Sequence, residues 1–253
     1  MTRKFDDRYL AFVDVLGFRS IVKRMAKSDR LFETVRDALK RLNRQARQFR
    51  KYNSATRRRK GGAVAVLPKG DLQMTAFSDC YVLSETFPAW HVLAAVQALG
   101  ARFLTEGILT RGAVVRGGAY HHGGVLFGPA VVEAYELESE VAKYPRILVT
   151  DEVRLNVWGY HQGLCKGQLL EQDVDGCWFV NLLVPPLSNW TALSDAAIAR
   201  DLHDHLNAVR RSLVKQLRNT KGQVNHLSKV YWLVHRFNNS AKAAGVEPID
   251  FAK

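Results

Sequence analysis

An apolar run near the N-terminus leaves the chain few ways to fold. The run YLAFVDVLGF, Tyr9 to Phe18, has strand-forming residues on both sides of a single acid, Asp14, and turns at Gly17. A carboxylate buried inside such a strand costs several kcal/mol unless a cation meets it. Asp14 is therefore either a ligand at the open end of a strand or an unusual structural acid.

The composition is that of an ordinary globular protein. The 253 residues suffice for one large domain or a domain with an appendage, and 47% of them are hydrophobic. No apolar run approaches the ~18 residues that a membrane-spanning helix needs. The N-terminus lacks the apolar segment of a signal peptide, and the three cysteines form no C-x-x-C pair. We therefore expect a cytoplasmic protein with no membrane partner.

The net charge of +13 is concentrated in one basic segment. Lys40 to Lys60 holds ten Lys or Arg residues and no acid. Such a segment is typical of a solvated helix face that runs into a loop, and a contact for a polyanion is the alternative. No helix-turn-helix, zinc-finger or RNP pattern accompanies it, so nucleic acid is not the expected partner.

Hydrophobic periodicity predicts alternating strands and helices, and hence an α/β sandwich built on a mixed sheet. The predicted elements are a strand at 9–15, a helix at 19–50 with a break near Ser28, a strand at AVAVL, a hairpin in LQMTAFSDCYVLS turning at Ser78-Asp79, a helix at 90–105, a strand at RGAVVRGGAY, a loop at HHGGVLFG, a helix at 130–141, a strand at RILVT, a hairpin turning at Asp175-Gly176, and helices near 194–219 and 223–244.

The stretch PPLSN, Pro185 to Asn189, predicts a joint between two parts of the chain. Residues 1–185 would form the core domain, and residues 186–253 a helical C-terminal extension. The segment VYWLVHRF has the spacing of an apolar helix face. We expect its Trp232, His235 and Phe237 to pack on the core or at a dimer surface.

A second acid gives Asp14 a possible partner. Asp79 also lies at a strand–turn boundary, and two converging carboxylates with a backbone carbonyl suit Mg²⁺ or Mn²⁺ bound with phosphates. Gly17 permits a tight turn, so the amides of Leu16, Gly17 and Phe18 would face a phosphate at the start of the next helix. Two unrelated strand-end acids are the alternative.

These segments together resemble the catalytic domain of class III nucleotide cyclases. The resemblance rests on FVDVLGF, FSDCYVLS and RGAVVRGGAY…FGPAVVEAYELES, in that order between Tyr9 and Glu152. It implies a ferredoxin-like sandwich with a mostly antiparallel sheet, and active sites formed between two head-to-tail subunits. It also implies cyclisation of a nucleoside triphosphate by attack of its ribose 3′-hydroxyl on the α-phosphate, with pyrophosphate leaving.

The resemblance assigns roles to individual residues. Asp14 and Asp79 match the two metal-binding aspartates, and Val15 matches the residue whose backbone carbonyl joins them. Leu16 to Phe18 match the turn that holds the β- and γ-phosphates. Arg111 matches the arginine that contacts the triphosphate.

The base-reading and transition-state positions depart from the family pattern. Thr75 stands where purine cyclases have a base-reading lysine, and Val125 stands where they have its acidic or cysteine partner. The ribose-orienting asparagine falls at Val132, and the transition-state arginine at Glu136. Since a lost hydrogen-bond partner discriminates strongly between bases, this pocket is no obvious reader of adenine or guanine.

Two interpretations fit these departures. The protein is either a nucleotide-binding sensor without catalysis, or a pyrimidine cyclase that obtains its transition-state cation elsewhere. Arg116, just before Gly117, is our predicted catalytic cation, and an exposed arginine is the alternative. We expect His121 and His122 at the surface or at the edge of the core.

The pattern also resembles the uridylate and cytidylate cyclases of bacterial Pycsar anti-phage systems, which keep the metal aspartates and lack the purine-reading residues. That resemblance implies a homodimer with composite sites that uses Mn²⁺ or Mg²⁺. We expect UTP as the substrate, with Thr75 in the nucleotide pocket, and CTP is the alternative. The cyclic product would activate a separate effector protein during infection.

Overall fold

The computed structural model describes residues 4–52, 71–163, 165–186, 194–219 and 224–251. Over these ranges the chain is a mixed α+β protein with one mostly antiparallel sheet, which confirms the predicted fold class. The predicted strand AVAVL and the basic segment beyond residue 52 lie outside the described residues.

The described ranges contain eight strands, seven α-helices and one π-helical turn. The strands are β1 Asp6–Val15, β2 Gln73–Phe77, β3 Cys80–Glu85, β4 Thr110–His122, β5 Val125–Phe127, β6 Ile147–Val149, β7 Leu170–Gln172 and β8 Trp178–Val180. The helices are α1 Phe18–Met25, α2 Asp29–Tyr52, α3 Ala89–Thr105, α4 Pro129–Glu136, α5 Asp151–Gln162, α6 Asp195–Asn219 and α7 Val224–Ala243, and the π-helical turn is Leu137–Val141. None of these helices is both long enough and apolar enough to cross a membrane.

The first four strands form a ferredoxin-like unit. The sheet order is β2-β3-β1-β4-β6-β8-β7, with β5 paired to β4. β1 is antiparallel to both β3 and β4, and β4 is parallel to β6. Helices α1 and α2 connect β1 to β2, and α3 connects β3 to β4. The central position of β1 follows from its apolar residues on both faces.

Turns separate the strands and helices mostly where the sequence predicts them, but one predicted loop is wrong. The break between α1 and α2 and the turn at Ser78-Asp79 lie where the sequence predicts them. The prediction of a loop at HHGGVLFG is wrong, because β4 continues to His122 and pairs with β5. Gly123 and Gly124 have φ of 59° and 85°, which suits a two-residue hairpin turn.

The side chains of β1 alternate between two cores. Tyr9, Ala11 and Val13 belong to the larger hydrophobic cluster, which α3, α6 and α7 also enter. Leu10 belongs to a smaller cluster under α4, and Phe12 packs against that cluster. Since strand side chains alternate, the next even position, Asp14, lies on the α4 face of the sheet.

Helices α6 and α7 share the larger core with the sheet. Ser212 of α6 donates a hydrogen bond to the carbonyl of Leu104 (3.0 Å), and His205 hydrogen-bonds the carbonyl of Leu182 (3.1 Å). Phe237 of α7 is fully buried in the same cluster. The domain boundary at residues 185 and 186 stays a prediction.

Candidate functional site

The ends of β1 and β3 bring Asp14 and Asp79 together. The Val15 amide donates a hydrogen bond to the Asp79 carbonyl (2.8 Å), and Asp14 lies opposite Cys80 in the antiparallel register. This arrangement depends on the hairpin turn at Asp79, which returns the chain to β1. The side chain of Val15 is buried in the larger core, so only its backbone is available to a ligand.

Arg111 lies directly opposite Asp14 on β4. Its Nε is 3.6 Å from Asp14 Oδ2, and it forms a closer ion pair with Glu138. Glu138 is buried on the π-helical turn. We call these four residues, Asp14, Asp79, Arg111 and Glu138, the acid site.

Sequence reasoning missed Glu138, although the signal was present. Ala130 and Ala134 are buried at four-residue spacing, and Glu138 continues that row. A buried row that ends in an acid indicates that the acid faces inward toward a partner. The π-helical turn that carries Glu138 is a rare conformation that occurs frequently at functional sites.

The carboxylates of the acid site outnumber the cation among them. Burial raises the pKa of Asp14, Arg111 opposes that rise, and the charge of Asp79 adds to it. Burial likewise raises the pKa of Glu138, against the effect of Arg111. Since the charged forms of both acids are disfavoured, an added cation would be stabilised there.

The turn after β1 has the geometry of a helix N-terminus. Gly17 has φ 70° and precedes α1, which begins at Phe18. The first amides of a helix have no intrahelical acceptor, so those of Gly17 and Phe18 suit a phosphate. The Leu16 amide instead donates to the carbonyl of Leu109 (2.9 Å), so that amide does not face the predicted phosphate.

Thr75 ends a buried chain of hydrogen bonds. Arg8 Nε donates to Ser84 Oγ (2.8 Å), Ser84 Oγ lies 2.8 Å from His121 Nδ1, and His121 Nε2 lies 2.9 Å from Thr75 Oγ1. Burial, with a smaller contribution from Arg8, lowers the pKa of His121 to about 4, so the ring is neutral at pH 7. Thr75 itself is half-buried on the edge strand β2.

Arg116 lies apart from the acid site of its own chain. It pairs with Tyr9 in the β1–β4 register, and its guanidinium lies 5.3 Å from the centre of the Tyr9 ring. That position is on the face of the sheet opposite Asp14. Arg116 forms ion pairs with Asp7 (2.8 Å) and Glu152 (3.0 Å). This arrangement does not place Arg116 at the acid site of its own chain, and its catalytic role stays a prediction.

Three of the four positions that depart from the family pattern lie on the surface. Val132 and Glu136 are exposed on α4, one turn apart, and Val125 is exposed on β5. The large apolar side chains that are exposed on β4, β5 and α4 include two of these positions, Val125 and Val132. We call this group the α4–β5 surface, which comprises Tyr120, Val125, Phe127, Val132 and Tyr135, each between 39% and 56% exposed.

The acid site fits a hard divalent cation by donor type. Among the described residues no group of three or more His, Cys, Asp or Glu side chains is arranged to hold a metal. Asp14 and Asp79 are a pair of carboxylates whose third ligand would be the Val15 carbonyl. Oxygen donors with excess negative charge suit Mg²⁺ or Mn²⁺ that keeps sites for phosphate oxygens.

Comparison with known proteins gives a limited result. No protein-family model and no curated protein matches the chain. Among solved structures, it is similar to the monomeric guanylyl cyclase domain of the RhoGC fusion protein from the aquatic fungus Blastocladiella emersonii, with 14% identity and a TM-score of 0.39 over 70% of this chain and 95% of that one. It is also similar to the catalytic core of a rhodopsin-guanylyl cyclase with converted specificity in complex with ATPαS, with 16% identity and a TM-score of 0.40 over 70% and 96%. Because these identities and TM-scores are too low to support an argument about function, the proposal below depends on the residues of this chain.

Proposed function

We propose that the protein is a metal-dependent pyrimidine nucleotide cyclase that converts UTP to 3′,5′-cyclic UMP and pyrophosphate. The observation that carries the proposal is the acid site, where Asp14 and Asp79 meet at two strand ends beside Arg111. The sequence resemblance to class III cyclases supports the same assignment.

Each part of the site has a role in the proposed reaction. Asp14, Asp79 and the Val15 carbonyl hold Mn²⁺ or Mg²⁺, which when bound activates the attacking oxygen and offsets charge on the leaving phosphate. Arg111 binds the triphosphate. The Gly17 and Phe18 amides bind its terminal phosphates at the α1 N-terminus. The ribose 3′-hydroxyl gives up its proton to solvent and its oxygen forms a bond to the α-phosphorus. The bond from that phosphorus to the oxygen bridging the α- and β-phosphates breaks, and pyrophosphate leaves.

The hydrogen-bond chain to Thr75 supports uracil as the base. Arg8 can only donate, so Ser84 Oγ accepts from it. Because Ser84 is fully buried, its own hydrogen goes to the nearby acceptor, His121 Nδ1. The neutral ring then carries its proton on Nε2 and donates to Thr75. The Thr75 hydroxyl hydrogen is left to donate outward.

A donor fixed in this way discriminates between the two pyrimidines. Uracil presents a carbonyl oxygen at position 4, whereas cytosine presents an amino group there, and two donors facing each other leave both unsatisfied. Thr75 therefore favours UTP over CTP. Thr75→Val keeps the shape of the side chain and removes the hydroxyl. We therefore expect it to lower the ratio of UTP turnover to CTP turnover.

The direct test is turnover of the four ribonucleoside triphosphates with Mn²⁺ and with Mg²⁺. We expect cyclic UMP as the main product, and no product from Asp14→Asn or Asp79→Asn. Asp151→Asn is the matched control, since Asp151 is an exposed acid whose ion pair, among the residues that the structure describes, is with Arg154 three residues away. Absence of a cyclic product from every triphosphate would refute the proposal.

A nucleotide sensor without catalysis is the second candidate. The observation that favours it is the ion pair of Arg111 with buried Glu138. The arginine that we propose to bind the triphosphate is already paired with a carboxylate of its own chain. A sensor would bind a triphosphate with the affinity of an enzyme and return it unchanged. Binding and turnover measured on one preparation separate the two candidates.

We also propose that the enzyme is a homodimer that associates through the α4–β5 surface, with sites completed by both subunits. The exposed aromatic and branched side chains there suit association, because large exposed apolar side chains are stabilised by burial against a partner. We expect Tyr135→Glu to shift the protein to a monomer in sedimentation and to reduce turnover. Unchanged mass and activity would contradict this.

The resemblance to Pycsar cyclases supports a role in anti-phage defence, in which the cyclic product activates a separate effector. Cells that carry the cyclase with its effector should survive phage challenge as a population, whereas cells with Asp14→Asn should not. Equal survival of cells with the wild-type protein and cells with Asp14→Asn would show that the cyclase reaction does not provide the protection.

A further inference from the structure

Two acids of the acid site share Arg111. Its Nε lies 3.6 Å from Asp14 Oδ2, and the same nitrogen forms the closer ion pair with Glu138 Oε1. The two acids differ in access, since 20% of the Asp14 side chain is exposed and only 4% of the Glu138 side chain is. A ligand that arrives from solvent can therefore reach Asp14, whereas Glu138 is closed off and contacts the site through Arg111.

The π-helical turn Leu137–Val141 fixes the position of Glu138. The Ala142 amide donates a hydrogen bond to the Leu137 carbonyl (2.9 Å), five residues earlier, and this bond closes the turn. Ala142 is fully buried, and Leu137 packs against the smaller cluster under α4. Because the backbone is held on both sides of Glu138, its carboxylate has little freedom to follow Arg111 if that side chain moves.

Without Glu138, Arg111 would have Asp14 as its partner. The two residues are directly opposite in the β1–β4 register, so their side chains lie on the same face of the sheet. A hydrogen bond between an arginine and a carboxylate is about 2.7–2.9 Å long, so a shift of less than about 1 Å would bring the guanidinium onto Asp14. The guanidinium would then compete with a divalent cation for the same carboxylate oxygens.

The charges of the acid site lead to the same conclusion. Glu138 balances the charge of Arg111, which leaves the charges of Asp14 and Asp79 for a divalent cation. If Glu138 were neutral, Arg111 would offset one of those two charges and would repel the cation. The buried acid therefore favours metal binding although it is not exposed to the metal.

We propose that Glu138 is a positioning residue that holds Arg111 away from Asp14 and so reserves the Asp14 carboxylate for the metal. This inference rests on the proposed function for the identity of the metal ligands. Glu138 acts through Arg111 and binds neither the metal nor the substrate itself. Its effect on metal binding therefore requires the arginine, which a purely structural role for Glu138 would not.

Binding of Mn²⁺ to the nucleotide-free protein, followed by the EPR signal of the free ion, tests the inference without turnover. We expect Glu138→Gln to weaken binding about tenfold, because residues in one charge network couple to that extent. Arg111→Gln should bind Mn²⁺ at least as tightly as the wild type does, because it removes the competing cation. Addition of Glu138→Gln to Arg111→Gln should then change the affinity less than about twofold. The matched control is Glu140→Gln, which should bind as the wild type does, since Glu140 is an exposed acid of the same turn.

The outcomes separate this inference from the proposed function. Wild-type affinity in Glu138→Gln would overturn the inference and leave the cyclase proposal intact. An equal loss with and without Arg111 would also overturn it, because the effect would not pass through the arginine. Mn²⁺ binding that is absent from the wild type, or that survives Asp14→Asn, would refute the metal site and the inference together. The expected pattern in a protein that turns over no triphosphate would support the role of Glu138 while refuting the cyclase.

Thermal unfolding shows whether the variants compared are folded. If Glu138→Gln does not fold, Arg111→Gln decides the question, since weaker Mn²⁺ binding in that variant would contradict a competing cation. Arg111→Gln should also lose affinity for α,β-methylene-UTP, in which a carbon replaces the oxygen of the bond that cyclisation breaks. A loss of Mn²⁺ and of the nucleotide analogue together would show that Arg111 supports the metal site and does not compete with it.

Discussion

Two regions of this protein combine arginines with carboxylates, and they use them in opposite ways. The acid site at the end of β1 contains three acids around Arg111. The second region lies between the β7–β8 turn and α7, and we call it the β7–β8 cluster: Arg146, Asp173, Asp175, Trp232 and Arg236. In the first region the charged forms of Asp14 and Glu138 are disfavoured, and in the second those of Asp173 and Asp175 are favoured.

The difference lies in the number of donors that each carboxylate receives. Burial raises the pKa of Asp173. Hydrogen bonds from the Val174 amide, Arg236 and Trp232 together lower that pKa by a larger amount, so the net shift is downward. The hydrogen bond from Arg146 lowers the pKa of Asp175 to about 2. Asp14, by contrast, has Arg111 at 3.6 Å and the opposing charge of Asp79.

The comparison teaches how to separate a structural charge network from a binding site. A buried carboxylate whose hydrogen bonds are satisfied holds elements together, here α7 against the sheet. A carboxylate left with a raised pKa and few donors is typical of a site that awaits a ligand. The following predictions test whether this distinction holds.

The largest expected contrast is between Asp14→Asn and Asp173→Asn. Asp14→Asn should abolish cyclase activity, with more than a ~10³-fold loss, and should leave the free energy of unfolding within about 1 kcal/mol of the wild type, since it removes a disfavoured charge. Asp173→Asn should cost about 3–5 kcal/mol, because it removes the buried carboxylate that pairs with both Arg146 and Arg236. Denaturant unfolding measures both. The reverse pattern would show that the two regions have been assigned the wrong way round.

The hydrogen-bond chain to Thr75 gives a pH-dependent prediction. The pKa of His121 is about 4 in the folded protein and about 6.5 when unfolded, so between pH 6.5 and 4 the unfolded state takes up a proton that the folded state does not. The free energy of unfolding should fall by about 3 kcal/mol from this group as the pH drops through that window. His121→Gln should remove this part of the pH dependence.

His122→Gln is the matched control, because His122 is the exposed neighbour of His121 on β4. It should keep the wild-type pH profile of stability. Identical profiles for His121→Gln and the wild type would show that His121 titrates normally, and the argument for a fixed donor at Thr75 would then fail.

Ligand addition should stabilise the folded protein through the acid site alone. With Mn²⁺ and α,β-methylene-UTP at about 100 times their dissociation constant, the wild-type protein should gain about 2.7 kcal/mol of stability. Asp14→Asn should gain little, whereas Asp151→Asn should gain as much as the wild type. A gain of equal size in Asp14→Asn would place the ligand elsewhere on the protein.

The smallest expected effect comes from the edge of the β7–β8 cluster. Trp232→Phe removes the hydrogen bond to Asp173 and keeps an aromatic ring on Tyr144, so it should cost about 1 kcal/mol. Thermal or denaturant unfolding measures this. A much greater loss would mean that Asp173 depends on Trp232 more than on its two arginines.

Some of what sequence reasoning missed was available in the sequence. Arg116 is five residues from Arg111 on one strand, and an odd separation places the two side chains on opposite faces of the sheet. The Gly123-Gly124 pair between apolar residues is a signal for a hairpin and not for a loop. The loop prediction, which was wrong, came from reading the segment RGAVVRGGAYHHGGVLFG for its glycines before its alternation.

The sequence by itself determined the order of the described strands and helices apart from β5, the turns at Ser78-Asp79 and Asp175-Gly176, and the fold class, because periodicity and turn chemistry act between near neighbours. Only the tertiary structure decided that Glu138 pairs with Arg111. That pairing depends on the packing of the π-helical turn against the start of β4, between residues far apart in the chain. The acids can be found in the sequence, but the cations that they meet depend on the fold.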